Sequence, residues 1–232
     1  MNRSLQQGAT LIIVLCIVLL VTIIAAVAIR QSFISLNIAT NAQAQKLMMQ
    51  SSDAALLRFE QLHTQDNSVA VNSLFSTVKK NIGGEVVWCY SDLQRDFFIF
   101  NKYSVIRWTP GDAQPSVVTG KSGFCKSDSF STGRSVVVTQ VSATISSTNS
   151  SVVINNSSND NSVPPVKIRV YTTSFIPTLS TAKPEDINDC LSKNMSAIPT
   201  SIPVNQTQTV SQCLTALNVP NYTAVAEYQD AN

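Results

Sequence analysis

Five cysteines are the residues whose types and spacing most directly predict chemistry in this chain. Four of them lie beyond the apolar N-terminal segment, and none forms the close pairs that bind zinc. The apolar segment is long enough to span a membrane. An even number of cysteines beyond such a segment is typical of disulfides in an oxidising compartment. Sequence alone allows three pairings, of which we favour the sequence-local one. It joins Cys89 to Cys125 and Cys190 to Cys213.

Two such loops would stabilise the fold by about 3–4 kcal/mol each through the lost chain entropy of the unfolded state. The fifth cysteine, Cys16, lies inside the apolar segment and is interpreted as a small hydrophobic side chain.

Residues for a catalytic or cofactor site are scarce. His63 is the only histidine, and helical periodicity places it on an apolar stripe, which favours packing over chemistry. There is no nucleophile elbow, P-loop or dinucleotide-binding glycine motif. Asp53 and Glu60 fall on the same predicted helix, where we expect them to face solvent or neighbouring subunits. The sequence therefore predicts no enzyme, no metal and no cofactor.

Composition sets the outer limits of the fold. The 232-residue chain has a net charge of +2 and only 13% charged residues, without a basic run, so nucleic-acid binding is not indicated. About 170 residues remain after a long N-terminal helix, enough for one domain with a core. They are rich in Ser, Thr, Asn and Val, which suits strands and turns outside the cytoplasm.

An uncharged run of 21 residues, positions 9–29, follows Gly8 near the N-terminus. A helix of that length can cross a bilayer core of roughly 30 Å. Neither Gly nor Pro occurs between Ala9 and Gly83, so nothing ends the helix at Ile29. We therefore expect one helix over residues 9–62, or roughly 80 Å at 1.5 Å per residue.

Periodicity predicts that residues 30–62 form an amphipathic helix. At 100° per residue, one side collects a stripe that we expect to face a core. Its members are Ile34, Ile38, Ala42, Met48, Met49, Leu56, Phe59 and His63. A thinner stripe of Leu36, Leu47 and Ala54 lies on the far side.

Beyond a linker at residues 63–82, which could hold a short helix into Lys80, the pattern becomes β-rich. We expect strands at residues 85–90, 97–108, 137–145 and 166–171, a turn at 109–112 and a short hairpin strand at 152–154. The aromatic residues of the first two strands are expected in a core. Pro184 with Glu185 and Asp186 predicts a short helix ending at Lys193. We expect an irregular tail from Ala197, tied back by Cys213.

The expected fold is α+β: a long N-terminal helix packed on an antiparallel sheet, with a disulfide-stapled C-terminal region. The expected domains are a leader at 1–8, the helix at 9–62 (9–29 transmembrane), the linker at 63–82 and a globular domain at 83–232.

The N-terminal third resembles the type IV prepilins. The short leader, its terminal Gly8, the uncharged run and the uninterrupted helix carry the resemblance. The stretch Gln7-Gly8-Ala9-Thr10-Leu11-Ile12 and the later Asn41, Asp53-Ala54-Ala55-Leu56 and Glu60 are similar to PilX-type minor pilins in particular. The resemblance covers roughly residues 1–62.

The resemblance implies a processing and assembly route. A prepilin peptidase would cut between Gly8 and Ala9, and Ala9 would be N-methylated. The chain would sit in the inner membrane with its domain in the periplasm, and an assembly platform would move it into a filament. Its partners would be other minor pilins, the major pilin and a tip adhesin. The membrane anchor and helix-assembly residues would be Leu11, Ile12, Ile13, Val14, Leu19 and Leu20.

One departure from the family points to a location. Most pilins carry Glu at the fifth mature residue, where it pairs with the terminal amine of a neighbour, whereas this chain has Ile13 there. A buried charge without a partner is costly. The absence of Glu therefore favours a position without a predecessor, at the filament tip or in the initiation complex. Alternatively, Thr10 or backbone groups substitute for it, and the protein sits within the shaft.

A different class of function remains open at the same segment. Ala26-Val27-Ala28 matches the small-residue motif of a conventional signal peptide, with cleavage before Ile29. That processing would leave a periplasmic or secreted binding module.

Overall fold

A computed structural model describes residues 7–65, 74–90, 102–109, 111–112, 114–131, 136–146, 166–199 and 207–229, without the side chains of 7–10 and 63–65. The helices are α1 (Gln7–Gln65), α2 (Leu74–Lys80), α3 (Pro184–Lys193) and α4 (Val210–Ala216), with a 3-10 turn at Pro177–Leu179. The chain divides into two units, Met1–Ala44 and Gln45–Asn232. The first contains the N-terminal part of α1, and the second contains the rest of α1 and the sheet.

Six described strands form one antiparallel sheet in the order β3-β2-β1-β4-β5-β6. The strands are β1 (Gly84–Tyr90), β2 (Ser104–Arg107), β3 (Ser116–Thr119), β4 (Val138–Ile145), β5 (Lys167–Phe175) and β6 (Asn221–Gln229). The central strands β1, β4 and β5 are rich in β-branched residues, which fit a pleated surface covered on both faces. The predicted α+β class, with one long helix on an antiparallel sheet, is confirmed.

Within the second unit, α1 covers one face of the sheet. Ala55 and Phe59 of α1 are buried in a cluster with Trp88, Val141 and Val170 of the central strands. The ring of Phe59 also lies 5.3 Å, centroid to centroid, from Tyr228 of the edge strand β6. Burial of large apolar side chains contributes about 1.5–3 kcal/mol each, so this cluster is the main attachment of the helix to the sheet.

Four hydroxyl groups connect α1 to the same face. Ser51 Oγ lies 2.7 Å from Thr139 Oγ1, which lies 2.7 Å from Ser174 Oγ, which lies 2.7 Å from Ser52 Oγ. All four residues are buried. Since a buried hydroxyl without a partner is costly, this chain of contacts favours one register of the helix on β4 and β5.

The other face of the sheet is covered by α3, α4 and the residues around Cys125. Val138 and Phe175 of the sheet form a second buried cluster with Ile187 and Leu191 of α3 and Leu214 of α4. The local sequence starts both helices. Pro184 occupies the first turn of α3, and Thr209 forms a capping box with Gln212 at the start of α4.

Gln140 of β4 links both α3 and the segment around Cys125 to the sheet by hydrogen bonds. Its side-chain carbonyl accepts from the N–H of Cys125 at 3.1 Å, and its amide donates to the carbonyl of Leu191 at 3.1 Å. Both faces of β4 are therefore buried, one under α1 and one under α3.

The predicted core stripe of α1 is correct in part. Met48 and Phe59 are buried and Leu56 is half-buried, but Met49 is 45% exposed. Ile34, Ile38 and Ala42, predicted on the same stripe, are exposed, and the side chain of His63 lies outside the described residues. The stripe was misplaced because it counted only apolar residues, whereas the buried face includes Ser51 and Ser52.

The predicted irregular tail is wrong. Beyond Ala197 the chain forms α4 and then β6, a nine-residue strand that pairs with β5 along its whole length. Strand β3 was also missed. In contrast, α3 has the predicted bounds, and the short helix predicted into Lys80 is α2. The predicted hairpin strand at 152–154 and the aromatic residues Phe97, Phe98 and Phe100 lie outside the described residues.

Candidate functional site

The apolar N-terminal part of α1 is the first candidate site. The six predicted anchor residues Leu11, Ile12, Ile13, Val14, Leu19 and Leu20 are all exposed, each by more than half of its surface. Apolar surface exposed to this extent is typical of a segment that lies in lipid or against another protein. By length and composition, α1 is able to cross a membrane.

The hydroxyl of Thr22, in this segment, is satisfied inside the helix. The hydroxyl of Thr22 donates to the carbonyl of Leu19 at 2.8 Å. An apolar environment tolerates a hydroxyl only when its hydrogen bond is made internally. Thr22 therefore does not oppose insertion of the surrounding segment into lipid or into a bundle of apolar helices.

Gly8 and Ala9 lie in the first turn of α1, which begins at Gln7. Cys16 is a free, exposed cysteine of the same helix. Asp53 and Glu60 are exposed further along α1. Their exposure agrees with the predicted contact with solvent, and contact with neighbouring subunits stays a prediction.

The four remaining cysteines are paired. Cys89 of β1 is bonded to Cys125, and Cys190 of α3 is bonded to Cys213 of α4. Their Cα atoms are 4.7 Å and 5.6 Å apart, within the ordinary range for disulfides. The first bond staples the segment around Cys125 to the sheet, and the second joins the two short helices. This is the sequence-local pairing.

Glu85 of β1 is a buried carboxylate that sequence reasoning missed. It is fully buried on the sheet face opposite α1. The N–H of Ser196 donates to both carboxylate oxygens at 2.9 Å, and the N–H of Ala197 donates to Oε2 at 3.3 Å. The hydroxyl of Ser142 donates to that of Ser196 at 2.7 Å. The carboxylate thus holds the segment that follows α3 against the sheet.

Burial raises the pKa of Glu85 above its usual value, because desolvation disfavours the charged form. The hydrogen bonds from Ser196, Ser142 and Ala197 lower the pKa and offset part of this effect. The available sequence signal was an acidic residue inside a run of strand-forming residues, followed by two valines and a tryptophan. Such a residue in a strand covered on both faces must bury its charge or lose it.

The predicted aromatic core is seen in part. Trp88 is buried in the cluster under α1, whereas Trp108 is only half-buried on the opposite face. Within the described residues, no group of three or more His, Cys, Asp or Glu side chains is placed to hold a metal ion. Comparisons with protein families, with curated proteins and with solved structures gave no match for this chain.

Proposed function

We propose that this chain is a minor pilin of a type IV pilus, of the PilX type, which acts by protein–protein contact and not by catalysis. It is held in the inner membrane by its N-terminal helix with the globular domain in the periplasm, and is then moved into the filament. The observation that carries the proposal is the continuity of α1 from Gln7 to Gln65.

That continuity matters because the two parts of the helix suit different surroundings. Residues 11–29 carry no charge and expose apolar side chains, whereas Met48, Ala55 and Phe59 are buried beside the sheet. A cleaved signal sequence does not need to continue into the core helix of the domain that follows it. A filament subunit does, because the same helix must anchor the domain and pack among its neighbours.

Leaving the bilayer requires a second apolar environment of similar quality. A bundle of sister helices from other minor pilins and the major pilin provides one, since apolar helices pack together as well as they pack with lipid. The inner-membrane assembly platform would transfer the chain between the two environments. A prepilin peptidase acting between Gly8 and Ala9 would first expose the amine that is N-methylated.

We place the subunit at the tip or in the initiation complex. Ile13, the fifth residue of the proposed mature chain, is exposed and apolar, so it offers no carboxylate to a neighbouring terminal amine. The amine of Ala9 in this subunit can still pair with a Glu of another subunit. This asymmetry suits the first subunit of a filament, because no preceding subunit presents a terminal amine that needs a carboxylate partner.

The intact mass and N-terminal sequence of the protein from native membranes test the processing. We expect a chain that begins at N-methylated Ala9. Gly8→Val should block cleavage because of its bulk next to the cut bond, while Gln7→Ala should be processed normally. A mature chain that begins at Ile29 would contradict the proposal and favour the secreted binding module.

Deletion of the gene should abolish or sharply reduce piliation, and the wild-type gene should restore it. Immunogold labelling of purified pili tests the location, with label expected at one end of each filament and at very low copy number. Even labelling along the shaft would overturn the tip location but not the pilin assignment. Normal piliation in the deletion strain would count against both.

A further inference from the structure

An open cleft of about 320 Å³ lies between the β2–β3 connection, α3 and the residues that lead into α4. Cavities that bind small molecules start at about this size. The Cys190–Cys213 disulfide contributes to the lining, so the two short helices cannot separate and open the cleft. The cleft has no part in the proposed filament assembly through α1.

One side of the cleft is an indole ring. Trp108 is half-buried, and its ring packs against the buried cluster of Val87, Ile106 and Met195. Its indole N–H donates to the carbonyl of Asp112 at 2.9 Å. These contacts hold the ring while leaving part of its surface open to the cleft. The electron-rich face of an indole attracts polarised C–H groups and cations.

Another part of the lining is polar and comes from α3. Asp186, Asp189 and Lys193 lie on one face of this helix, three and four residues apart. Asp189 Oδ2 lies 2.7 Å from Lys193 Nζ, so these two charges largely neutralise each other. Asp186 is exposed and makes no ion pair within the described part of the chain, which leaves its carboxylate free to accept hydrogen bonds.

Amide groups complete the polar side. Gln114 and Gln208 are exposed at the cleft, and Asn194 is half-buried with its amide donating to the carbonyl of Cys190 at 3.1 Å. That bond uses the N–H of the Asn194 amide, so it leaves the side-chain carbonyl able to accept a hydrogen bond. The lining offers several acceptors and donors, but its side chains carry a net charge of about −1 at neutral pH.

These features together select a class of ligand. A net negative lining disfavours phosphates and other anions. A single unpaired carboxylate is too few for a divalent cation, which prefers several oxygen ligands. A neutral sugar ring fits both sides, because its C–H face can stack on an indole while its hydroxyls bond to carboxylates and amides.

We infer that this cleft binds one or two residues of a neutral carbohydrate, stacked on Trp108 and hydrogen-bonded by Asp186 and the neighbouring amides. This inference goes beyond the proposed role in filament assembly and does not depend on it. Among the residues that the structure describes the cleft is open, so the end of a longer glycan can enter it while the rest stays in solvent.

Saturation-transfer-difference NMR on the full chain tests this binding in a detergent without sugar head groups. The probes are lactose, maltose and diacetylchitobiose as neutral sugars, and sialyllactose as an acidic one. We expect transfer to at least one neutral sugar and weaker transfer to sialyllactose than to lactose. Trp108→Ala should weaken binding about tenfold or more, the equivalent of about 1.4 kcal/mol.

A second variant separates binding from folding. Asp186→Asn, at an exposed helix position, should weaken the same sugar several-fold while the disulfides and the circular dichroism spectrum stay unchanged. Asp128→Asn, an exposed residue that does not line the cleft, is the matched control and should bind as the wild type does. No transfer to any neutral sugar, stronger binding of sialyllactose than of lactose, or equal binding by wild type and Asp186→Asn would overturn the inference.

Discussion

Ser51 of α1 and Thr139 of β4 place their hydroxyl oxygens 2.7 Å apart, although 88 residues separate them in the chain. The contact continues through Ser174 to Ser52, so the two serines of α1 enclose a short path of hydroxyls on the sheet. The buried cluster of Phe59 and Trp88 attaches the helix to the sheet, and the hydroxyls add directional contacts. Directional bonds between buried hydroxyls make any other register lose hydrogen bonds.

The first prediction concerns this path. Ser52→Ala should lower the free energy of unfolding by about 0.5–1.5 kcal/mol, because Ser174 loses one of its two hydroxyl partners and keeps Thr139. Urea denaturation of the detergent-solubilised chain, followed by circular dichroism, measures the change. Asp53→Ala, an exposed neighbour on the same helix, is the control and should change stability by less than about 0.5 kcal/mol. An equal effect of both variants would mean that the hydroxyl path does not hold the helix.

The second prediction concerns the pH dependence that Glu85 introduces. Because burial raises its pKa in the folded chain above 4.5, the folded state retains this proton at pH values where the unfolded chain has released it. The stability contributed by the protonated form is therefore complete below about pH 4.5 and is lost as pH rises through the raised pKa. Glu85→Gln stays neutral at every pH and removes this slope.

The measurement is the difference in unfolding free energy between wild type and Glu85→Gln across the pH range above 4.5. We expect the wild type to lose stability relative to the variant as pH rises through this range. Glu185→Gln, at an exposed position of α3, controls for the removal of one carboxylate. Parallel curves for wild type and Glu85→Gln would show that the buried carboxyl titrates alike in both states.

The third prediction separates the two disulfides. Replacing Cys190 and Cys213 together by Ala should destabilise the domain by about 2–4 kcal/mol, mainly by freeing a loop in the unfolded chain. We expect amide hydrogen exchange to increase most in α3 and α4, while the cluster of Phe59 and Trp88 stays protected. Replacing Cys89 and Cys125 should instead increase exchange near Gln140. The same exchange pattern in both variants would contradict this division.

The fourth prediction concerns a close approach of backbone at Gly123. A Cβ atom there would meet the carbonyl oxygen of Val87 and the N–H of Ser104. Gly123→Ala should therefore cost about 1–3 kcal/mol through overpacking of the loop against β1 and β2. Thermal unfolding by calorimetry measures it, with Ser122→Ala at an exposed neighbouring position as the control. A normal melting temperature for Gly123→Ala would show that the loop has room to shift.

Local signals predicted the elements that depend on local sequence. The absence of Gly and Pro predicted the long helix α1, and Pro184 followed by two acidic residues predicted α3 with its bounds. Strand β4 was predicted from β-branched residues with a period of two. In each case the determining residues lie within a few positions of one another, so a short stretch contains the information.

Features that depend on distant partners could not be predicted in the same way. Ser51 and Ser52 look like surface residues until Thr139 and Ser174 are placed beside them. Strand β6 is rich in Ala and Tyr and lacks a strong aliphatic pattern, so its strand state depends on pairing with β5. The N–H groups that bond the buried Glu85 come from Ser196 and Ala197, 111 and 112 residues later in the chain. Such partners become visible only in the folded chain.

The placement of the two tryptophans gives the protein a built-in optical reporter on each side of its sheet. Trp88 shares a cluster with Ala55 and Phe59, whereas Trp108 packs on the opposite face against Val87, Ile106 and Met195. If α1 lifted from the sheet, Trp88 emission would shift to longer wavelength while Trp108 emission stayed constant. A single-tryptophan variant such as Trp108→Phe would therefore follow the docking of the helix in real time without an added label.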